Sequence, residues 1–369
     1  MRKKVTKNIE WSILLCTILL VIIGLFAIYS ATANAGHDEF RKQLMWIGVS
    51  IPVLIVFTLV DYDMLSKISP ILYILSIGAL VAVLFTEPIS GATSWFVIKD
   101  VVSIQPSEFA KIVVVLFLGL VISMMKKKGT KEVNRITRLI LLFILIGIPL
   151  ILIVKQPDYG TAIAFLLAFV CMLFVAGIYK RYIIAAILAV VIAVPLLYVF
   201  VLPDHAKKRI DVFLNPELDP RGAGYNLTQS KLAIGAGELL GMGYLKGNQT
   251  QLGFLYPKST DFIFSVIGEE LGFIVAATII ILYVVLITKA MYVAKTAKDD
   301  LGSLIATGIA GIFMFHMIEN IGMTIGLLPI TGVPLPFVSY GGSSMLSNFI
   351  MIALLLNISS RRQNATFLE

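Results

Sequence analysis

The chain has 369 residues, of which 58% are hydrophobic and 14% are charged. A typical soluble domain is about 45–50% apolar and about 25% charged, so this composition excludes a soluble fold, and it equally excludes disordered and disulfide-rich classes. The formal net charge of +8 would suggest nucleic-acid binding in a soluble protein, but here the placement of the positive charges matters more than their sum. We expect an integral membrane protein with no nucleic-acid partner.

Ten apolar stretches are long enough to cross the hydrocarbon core, which takes about 20 residues per helix. They lie near 11–30, 43–61, 69–86, 107–125, 137–154, 160–178, 182–202, 262–288, 302–325 and 337–358. The stretches are continuous and do not alternate in polarity, as the strands of a β-barrel would. The sequence predicts an all-α integral membrane protein of ten transmembrane helices, forming a single domain over 1–369.

The positive charges predict the orientation, because cytoplasmic loops hold an excess of Lys and Arg. With the amino terminus inside, the inner segments hold 18 of the 30 Lys and Arg residues, and the short outer loops hold five. Both termini are therefore predicted to be cytoplasmic, and the long segment 203–258 between the seventh and eighth helices is predicted to be extracytoplasmic. A cleaved signal peptide ending near Ala31–Ala35 would leave nine spans. The first apolar run, of about 19 residues, is longer than the 7–15 residues of a signal core.

Two short outer segments place ionisable residues at helix ends. The fourth helix starts within Gln105–Lys111, where we predict Ser107 as the N-cap and expect Glu108 and Lys111 to share a helix face. An ion pair that neutralises itself and a functional pair both fit this segment, although charges inside a membrane are usually functional.

Simpler readings also fit the neighbouring polar residues. The turn around Lys155 and Asp158 has the composition of an ordinary Pro/Gly hairpin. Trp95 is typical of an interfacial aromatic residue.

The segment 203–258 contains eight glycines between Gly222 and Gly253. This density opposes regular helix and favours close backbone packing. Several Leu, Ile and Phe residues in the segment provide apolar surface to bury, which makes disorder a poor alternative. We expect short interfacial or re-entrant pieces at the outer membrane face.

Asp261 lies where the eighth helix is predicted to begin. A helix N-terminus favours a negative charge, so the dipole is expected to keep this carboxylate ionised, as a general base must be. A simple helix cap is the alternative. The last outer loop, Leu328–Ser344, is rich in Pro and Gly, and its free backbone groups must line protein or water. This loop predicts a polar cavity, with Ser339 and Tyr340 as candidate substrate-binding residues.

No motif for a bound cofactor is present. The sequence has no phosphate-cradling GxxxxGK[ST] motif, and its three histidines are scattered without metal-ligand spacing.

The residues resemble the SEDS family (shape, elongation, division and sporulation), which includes RodA, FtsW and SpoVE. The most specific agreement lies in Asp261–Phe264 with Gly268–Gly272, and in Asn320–Met323 through Pro334–Gly342. Met323–Pro329 is most similar to the RodA branch.

This sequence departs from the family pattern at two positions. Ser259 stands where the family usually has His, and Tyr159 stands where it usually has Leu. The first difference argues against a role for an imidazole and leaves the carboxylate hypothesis intact.

The resemblance implies a multi-pass enzyme of the bacterial cytoplasmic membrane that polymerises lipid II into glycan strands on the outer face, during elongation and rod-shape maintenance. The implied partners are a class B penicillin-binding protein transpeptidase, the elongation machinery and membrane lipid. The family's essential aspartate falls on Asp261. Its polar cavity residues fall on Trp95, Glu108, Lys111, Lys155, Asp158, Arg209, Gln229 and Ser230.

The chemistry implied by the resemblance is an inverting displacement at an α-linked sugar pyrophosphate. It needs a base for the incoming 4-hydroxyl group, assigned to Asp261, and positive charge for the departing pyrophosphate. Lys111, Lys155 and Arg209 are candidates for that charge, alone or with a divalent cation such as Mg²⁺ or Mn²⁺.

Two other functions would use the same residues. A lipid II flippase would need a polar path that continues to the cytoplasmic side, whereas the polar residues here concentrate at the outer ends of the helices. A non-catalytic scaffold for a class B penicillin-binding protein would leave Asp261 without a chemical task.

Overall fold

The computed structural model describes residues 9–88, 92–98, 102–200 and 204–362. The helices are α1 (Trp11–Ala31), α2 (Asp38–Leu59), α3 (Tyr62–Ala82), α4 (Pro106–Lys126), α5 (Thr130–Val133), α6 (Ile136–Lys155), α7 (Tyr159–Ala176), α8 (Lys180–Phe200), α9 (Asp204–Leu214), α10 (Ala223–Ala236), α11 (Asn248–Gln251), α12 (Ile263–Thr296), α13 (Asp300–Thr324) and α14 (Gly342–Ser360). One small antiparallel hairpin joins β1 (Phe96–Ile98) to β2 (Val102–Ile104), with Phe96 paired to Ile104.

Within these described ranges, nine helices are long and apolar enough to cross a bilayer. The prediction of an all-α, multi-pass membrane protein is confirmed. Helix α8 corresponds to the predicted seventh span, 182–202, whose last two residues lie outside the described part of the chain. The count of ten spans, the cytoplasmic position of the termini and the extracytoplasmic position of the long segment stay predictions.

Helices α13 and α14 form the centre of the molecule and are buried along most of their length. Small residues allow the close approach around α13. A Cβ atom on Gly308 would lie 2.8 Å from Val115 of α4, and one on Gly311 would lie 3.1 Å from the Cα atom of Ala168 in α7. By contrast, α2 and α3 present most of their side chains outward, as expected for helices that face lipid.

Helix α12 is interrupted at Gly272, where φ is 78° and ψ is −177°. The predicted eighth helix, 262–288, is therefore longer than expected and broken. The turn after α10 pairs the backbone groups at the break. Phe273 N donates to Glu238 O at 2.9 Å, and Met242 N donates to Glu269 O at 2.9 Å. A break at membrane depth needs such partners, since lipid offers none.

Residues 204–258 fold into α9, α10 and α11 joined by turns. The expectation that glycine density would oppose regular helix is wrong for α10, which is regular although it contains Gly224 and Gly235. The expectation of close backbone packing is confirmed for the glycines after that helix. A Cβ atom on Gly237 would overlap the carbonyl oxygen of Gly268, and one on Gly241 would overlap that of Glu270.

We expect Gly237→Ala to lower the melting temperature of the detergent-solubilised protein. The added methyl group has no space against Gly268, and such overpacking costs about 1–3 kcal/mol. Gly235→Ala is the matched control, because a Cβ atom there meets nothing within 4 Å and its helix should gain about 0.4–1 kcal/mol. Equal melting temperatures for the two variants would contradict the proposed contact.

Candidate active site

A cavity of about 190 Å³ lies beside the start of α12. Its lining consists of Arg209, Val212, Phe213, Ala223, Leu227, Asp261, Leu328, Pro329, Ile330 and Gly332. Asp261 and Arg209 are the charged members of this lining, and most of the others are apolar. The cavity therefore suits a ligand that has both a charged and an apolar part.

Asp261 belongs to the turn that precedes α12, and the helix itself begins at Ile263. Phe262 occupies the N-cap position, and no side chain caps this helix end. The alternative that Asp261 is a simple cap is wrong. Asp261 is half-buried and lines the cavity.

Burial raises the pKa of Asp261 to about 6, and a hydrogen bond from the Thr260 side chain and the charge of Arg209 partly oppose this rise. Burial therefore acts on this pKa in the direction opposite to the expected effect of the helix dipole. A carboxylate with a pKa of about 6 is still mostly ionised at neutral pH. A general base works best with a pKa near the pH at which it operates.

The loop Leu328–Ser344 holds the turn that carries Asp261. Ser339 Oγ donates to Thr260 O at 2.6 Å, and Tyr340 N donates to Ser259 O at 2.9 Å. The contacts of Ser339 and Tyr340 are thus with the backbone beside Asp261. Their predicted role in substrate binding stays a prediction.

A second polar cluster lies at the start of α4, within a membrane-spanning helix. Lys111 Nζ lies 2.7 Å from Glu108 Oε2, and the two side chains are 1% and 2% exposed. Ser347 of α14 also donates to Glu108, at 2.6 Å. The prediction that the two charges share a helix face is confirmed. Ser107 is not the N-cap as predicted, because α4 already begins at Pro106, a residue that suits the first helical position.

Asp158 connects this cluster to α7. Its carboxylate accepts a hydrogen bond from Thr161 N at 3.2 Å, which caps α7, and another from Gln105 Nε2 at 2.9 Å. Burial raises the pKa of Asp158. Lys155 lies nearby in sequence but is exposed at the end of α6, so the structure separates these two candidates.

Three other candidates lie outside the cavity lining. Trp95 is half-buried directly before β1, and Gln229 is half-buried on α10. Ser230 is fully buried, and its hydroxyl contacts Ser265 Oγ at 2.6 Å and Thr324 O at 2.7 Å. Its contacts join α10 to α12 and α13. Roles for all three in substrate binding stay predictions.

Sequence reasoning missed the apolar wall of the cavity. Val212 and Phe213 of α9 and the segment Leu328–Ile330 form much of it. The mixture of charged and apolar residues in Asp204–Leu214 could have indicated an amphipathic helix with one face toward a cavity.

Comparison with known proteins assigns the chain to a family. The cell cycle protein family that contains FtsW, RodA and SpoVE matches residues 10–364. The chain belongs to this family.

Among the similar proteins, the peptidoglycan glycosyltransferase MrdB of Escherichia coli (strain K12) is 36% identical over 353 residues, covering 94% of each chain. The peptidoglycan glycosyltransferase RodA of Treponema pallidum (strain Nichols) is 31% identical, covering 98% of this chain and 100% of that one. The predicted family and the predicted enzyme class, a glycosyltransferase, are confirmed for this member of the FtsW/RodA/SpoVE family.

Solved structures agree with this fold. One, described as a peptidoglycan synthase complex that coordinates polymerization and crosslinking, matches with a TM-score of 0.83 and 25% identity over 96% of this chain and 98% of that one. The rod shape determining protein RodA of Thermus thermophilus matches with a TM-score of 0.72 and 23% identity over 97% of this chain and 99% of that one. The second likeness supports the fold alone.

We expect Lys111→Met to destabilise the protein by about 3–5 kcal/mol, because it leaves the Glu108 carboxylate buried without its partner. The double variant Glu108→Leu/Lys111→Met should recover most of that loss. Lys126→Met is the matched control, since the Lys126–Asp300 pair is partly exposed and should contribute only about 0–1 kcal/mol. Thermal unfolding in detergent measures all three. A double variant that is as unstable as Lys111→Met, or less stable, would contradict the buried pair.

Proposed function

We propose that this chain is a peptidoglycan glycosyltransferase that polymerises lipid II on the outer face of the cytoplasmic membrane during cell elongation. The observation that carries the proposal is a cavity in which one carboxylate, Asp261, and one cation, Arg209, lie among apolar walls. The names of the curated relatives, peptidoglycan glycosyltransferases, support the same activity.

Asp261 is the proposed general base. Its carboxylate takes the proton of the acceptor 4-hydroxyl group as that oxygen attacks the anomeric carbon of the donor sugar. The bond from that carbon to the pyrophosphate oxygen breaks, and the electron pair leaves with the pyrophosphate. Attack on the face opposite an α-linked leaving group gives a β linkage. Proton transfer to a positioned base is worth about 10²–10⁴-fold in rate.

Arg209 is the best-supported partner for the departing pyrophosphate. It lines the cavity together with Asp261, whereas Lys111 is paired with Glu108 inside α4 and Lys155 is exposed on α6. A guanidinium group can bind two phosphate oxygens at once and stabilises charge that grows as the bond breaks.

The apolar wall suits the lipid part of the substrate. Val212, Phe213 and Leu227 lie on the same cavity as the two charged groups. The polyprenyl chain is proposed to enter sideways from the membrane, because moving it into water would cost about 0.8 kcal/mol per CH₂ group.

The proposed mechanism does not depend on a metal ion held by the protein alone. Among the residues that the structure describes, no three His, Cys, Asp or Glu side chains are grouped closely enough to hold a metal ion. An Mg²⁺ or Mn²⁺ ion would have to arrive with the pyrophosphate, whose oxygens are the ligands that Mg²⁺ prefers.

A crosslinking partner follows from the chemistry of the product, because a glycan strand must be joined to its neighbours to bear load. The related complex is described as coordinating polymerization with crosslinking. We propose that this chain works with a class B penicillin-binding protein transpeptidase within the elongation machinery.

Asp261→Asn should stop elongation of labelled lipid II by the protein in complex with its transpeptidase, as read from a gel of glycan products. It should also raise the melting temperature. Because the folded state raises the pKa of this carboxyl, ionisation opposes folding above pH 4 or so, and Asn removes that cost. Wild-type strand lengths from Asp261→Asn would refute the role as base. Transfer of lipid II across liposomes by a wild type that makes no strands would favour a flippase.

The rate of elongation should fall as the pH drops through about 6, because protonation of Asp261 removes the base. Arg209→Gln should move this acid limb to higher pH, since its positive charge lowers the pKa of Asp261. Initial rates between pH 5 and 8.5 measure both effects. An acid limb that stays in place in Arg209→Gln would contradict the effect of the Arg209 charge on Asp261.

A further inference from the structure

We propose that Asn320 of α13 is a positioning residue that holds Asp261 in its working geometry. This inference rests on the proposed function, and it concerns a residue that lies outside the cavity lining. Asn320 is fully buried. Its side-chain amide donates to Asp261 O at 3.0 Å and to Val333 O at 2.9 Å.

The two acceptors belong to different segments that wall the cavity. One is the turn that carries Asp261, and the other is the loop after α13 that contributes Leu328–Ile330 and Gly332 to the lining. The Asn320 amide donates to both acceptors and therefore links the turn that carries Asp261 to the loop on the other side of the cavity. A primary amide suits this task because it presents two donors in a fixed plane.

The bond from Asn320 completes a row of three. The carbonyl groups of Ser259, Thr260 and Asp261 accept in turn from Tyr340 N, Ser339 Oγ and Asn320 Nδ2. The first two donors lie in a loop, whereas Asn320 lies in a buried, regular helix. Side chains on helices are positioned more precisely than groups on loops. Of the three donors, Asn320 is therefore expected to be the most rigidly placed.

The neighbouring residue strengthens the second attachment. Glu319 accepts a hydrogen bond from Thr331 Oγ1 at 2.7 Å, so adjacent side chains of α13 hold two positions of the same loop. Between these positions lies Gly332, where an added Cβ atom would lie 3.4 Å from Asp261 Oδ2. The loop backbone thus covers the carboxylate and excludes water from one side of it.

Loss of Asn320 should therefore act on the chemistry through Asp261. Without the hydrogen bond from Asn320 to Asp261 O, the turn could move and let water reach the Asp261 carboxylate. Moving a reacting group by about 1 Å can lower the rate 10²-fold. The charged groups around Asp261 would be unchanged, with Arg209 on α9 and Glu319 behind Thr331 on α13. The effect should fall on kcat and on the acid limb, while KM changes little.

The test compares Asn320→Ala with Asn357→Ala in the full-length protein bound to its transpeptidase. Asn357 is a matched control because it is also a fully buried asparagine whose amide donates to backbone carbonyls, including Phe57 O at 2.8 Å and Thr58 O at 3.1 Å, but between α2 and α14. Both variants should lower the melting temperature. Only Asn320→Ala should reduce kcat, by about 30–100-fold, and shift the acid limb to lower pH.

Two results would overturn the proposal. One is wild-type kcat and an unshifted acid limb in Asn320→Ala. The other is an equal loss of kcat in both variants, which would indicate general destabilisation. Either result leaves the proposed function standing if the wild type elongates lipid II and Asp261→Asn does not. If Asn320→Ala is not recovered folded, Asn320→Ser, which can satisfy one of the two carbonyls, should give a smaller change in the same direction, and an unchanged profile would refute the proposal.

Discussion

This structure depends on hydrogen bonds to the backbone N–H and C=O groups that helix ends and helix breaks leave without partners. Lipid offers no hydrogen bonds, so each interruption must find its partners elsewhere in the chain. The break at Gly272 is paired by the turn after α10, and the turn before α12 is paired by residues 339 and 340 of the last outer loop. These two sets of bonds place the long segment and the last loop around a single helix start. The cavity beside Asp261 is a consequence of that arrangement.

Two groups of charged residues lie in different environments, one closed and one open to a ligand. At α4, Glu108 and Lys111 neutralise each other at 2.7 Å within a membrane-spanning helix. At the cavity, Asp261 and Arg209 share a lining that is open to a ligand. A closed ion pair gives up little to a substrate, whereas charged groups that line an open cavity can bind phosphate and accept a proton. This contrast is the basis for proposing Asp261 and Arg209, and not Glu108 and Lys111, as the reacting groups.

The loop after α13 contacts α7 and α13. Thr331 and Val333 pack against Gly160 at the start of α7, where a Cβ atom on the glycine would overlap the Val333 side chain. Pro334 O contacts His316 Nδ1 at 3.0 Å, in the same helix that holds Asn320. The Pro residues of the loop restrict its backbone because their rings fix φ, whereas Gly326 and Gly332 adopt positive φ values that other residues rarely adopt.

The sequence alone determined the membrane class and most helix bounds, because span length and apolar composition are local properties that the thickness of the bilayer constrains directly. It also determined that Glu108 and Lys111 share a face, since their spacing of three is a property of one helix. The meeting of Arg209 with Asp261 and the hydrogen bond from Asn320 to the Asp261 carbonyl depended on the tertiary structure. So did the break at Gly272 and the rise in the pKa of Asp261. Each of these features arises between segments distant in the chain, where packing decides which groups lose contact with water and which backbone atoms find partners.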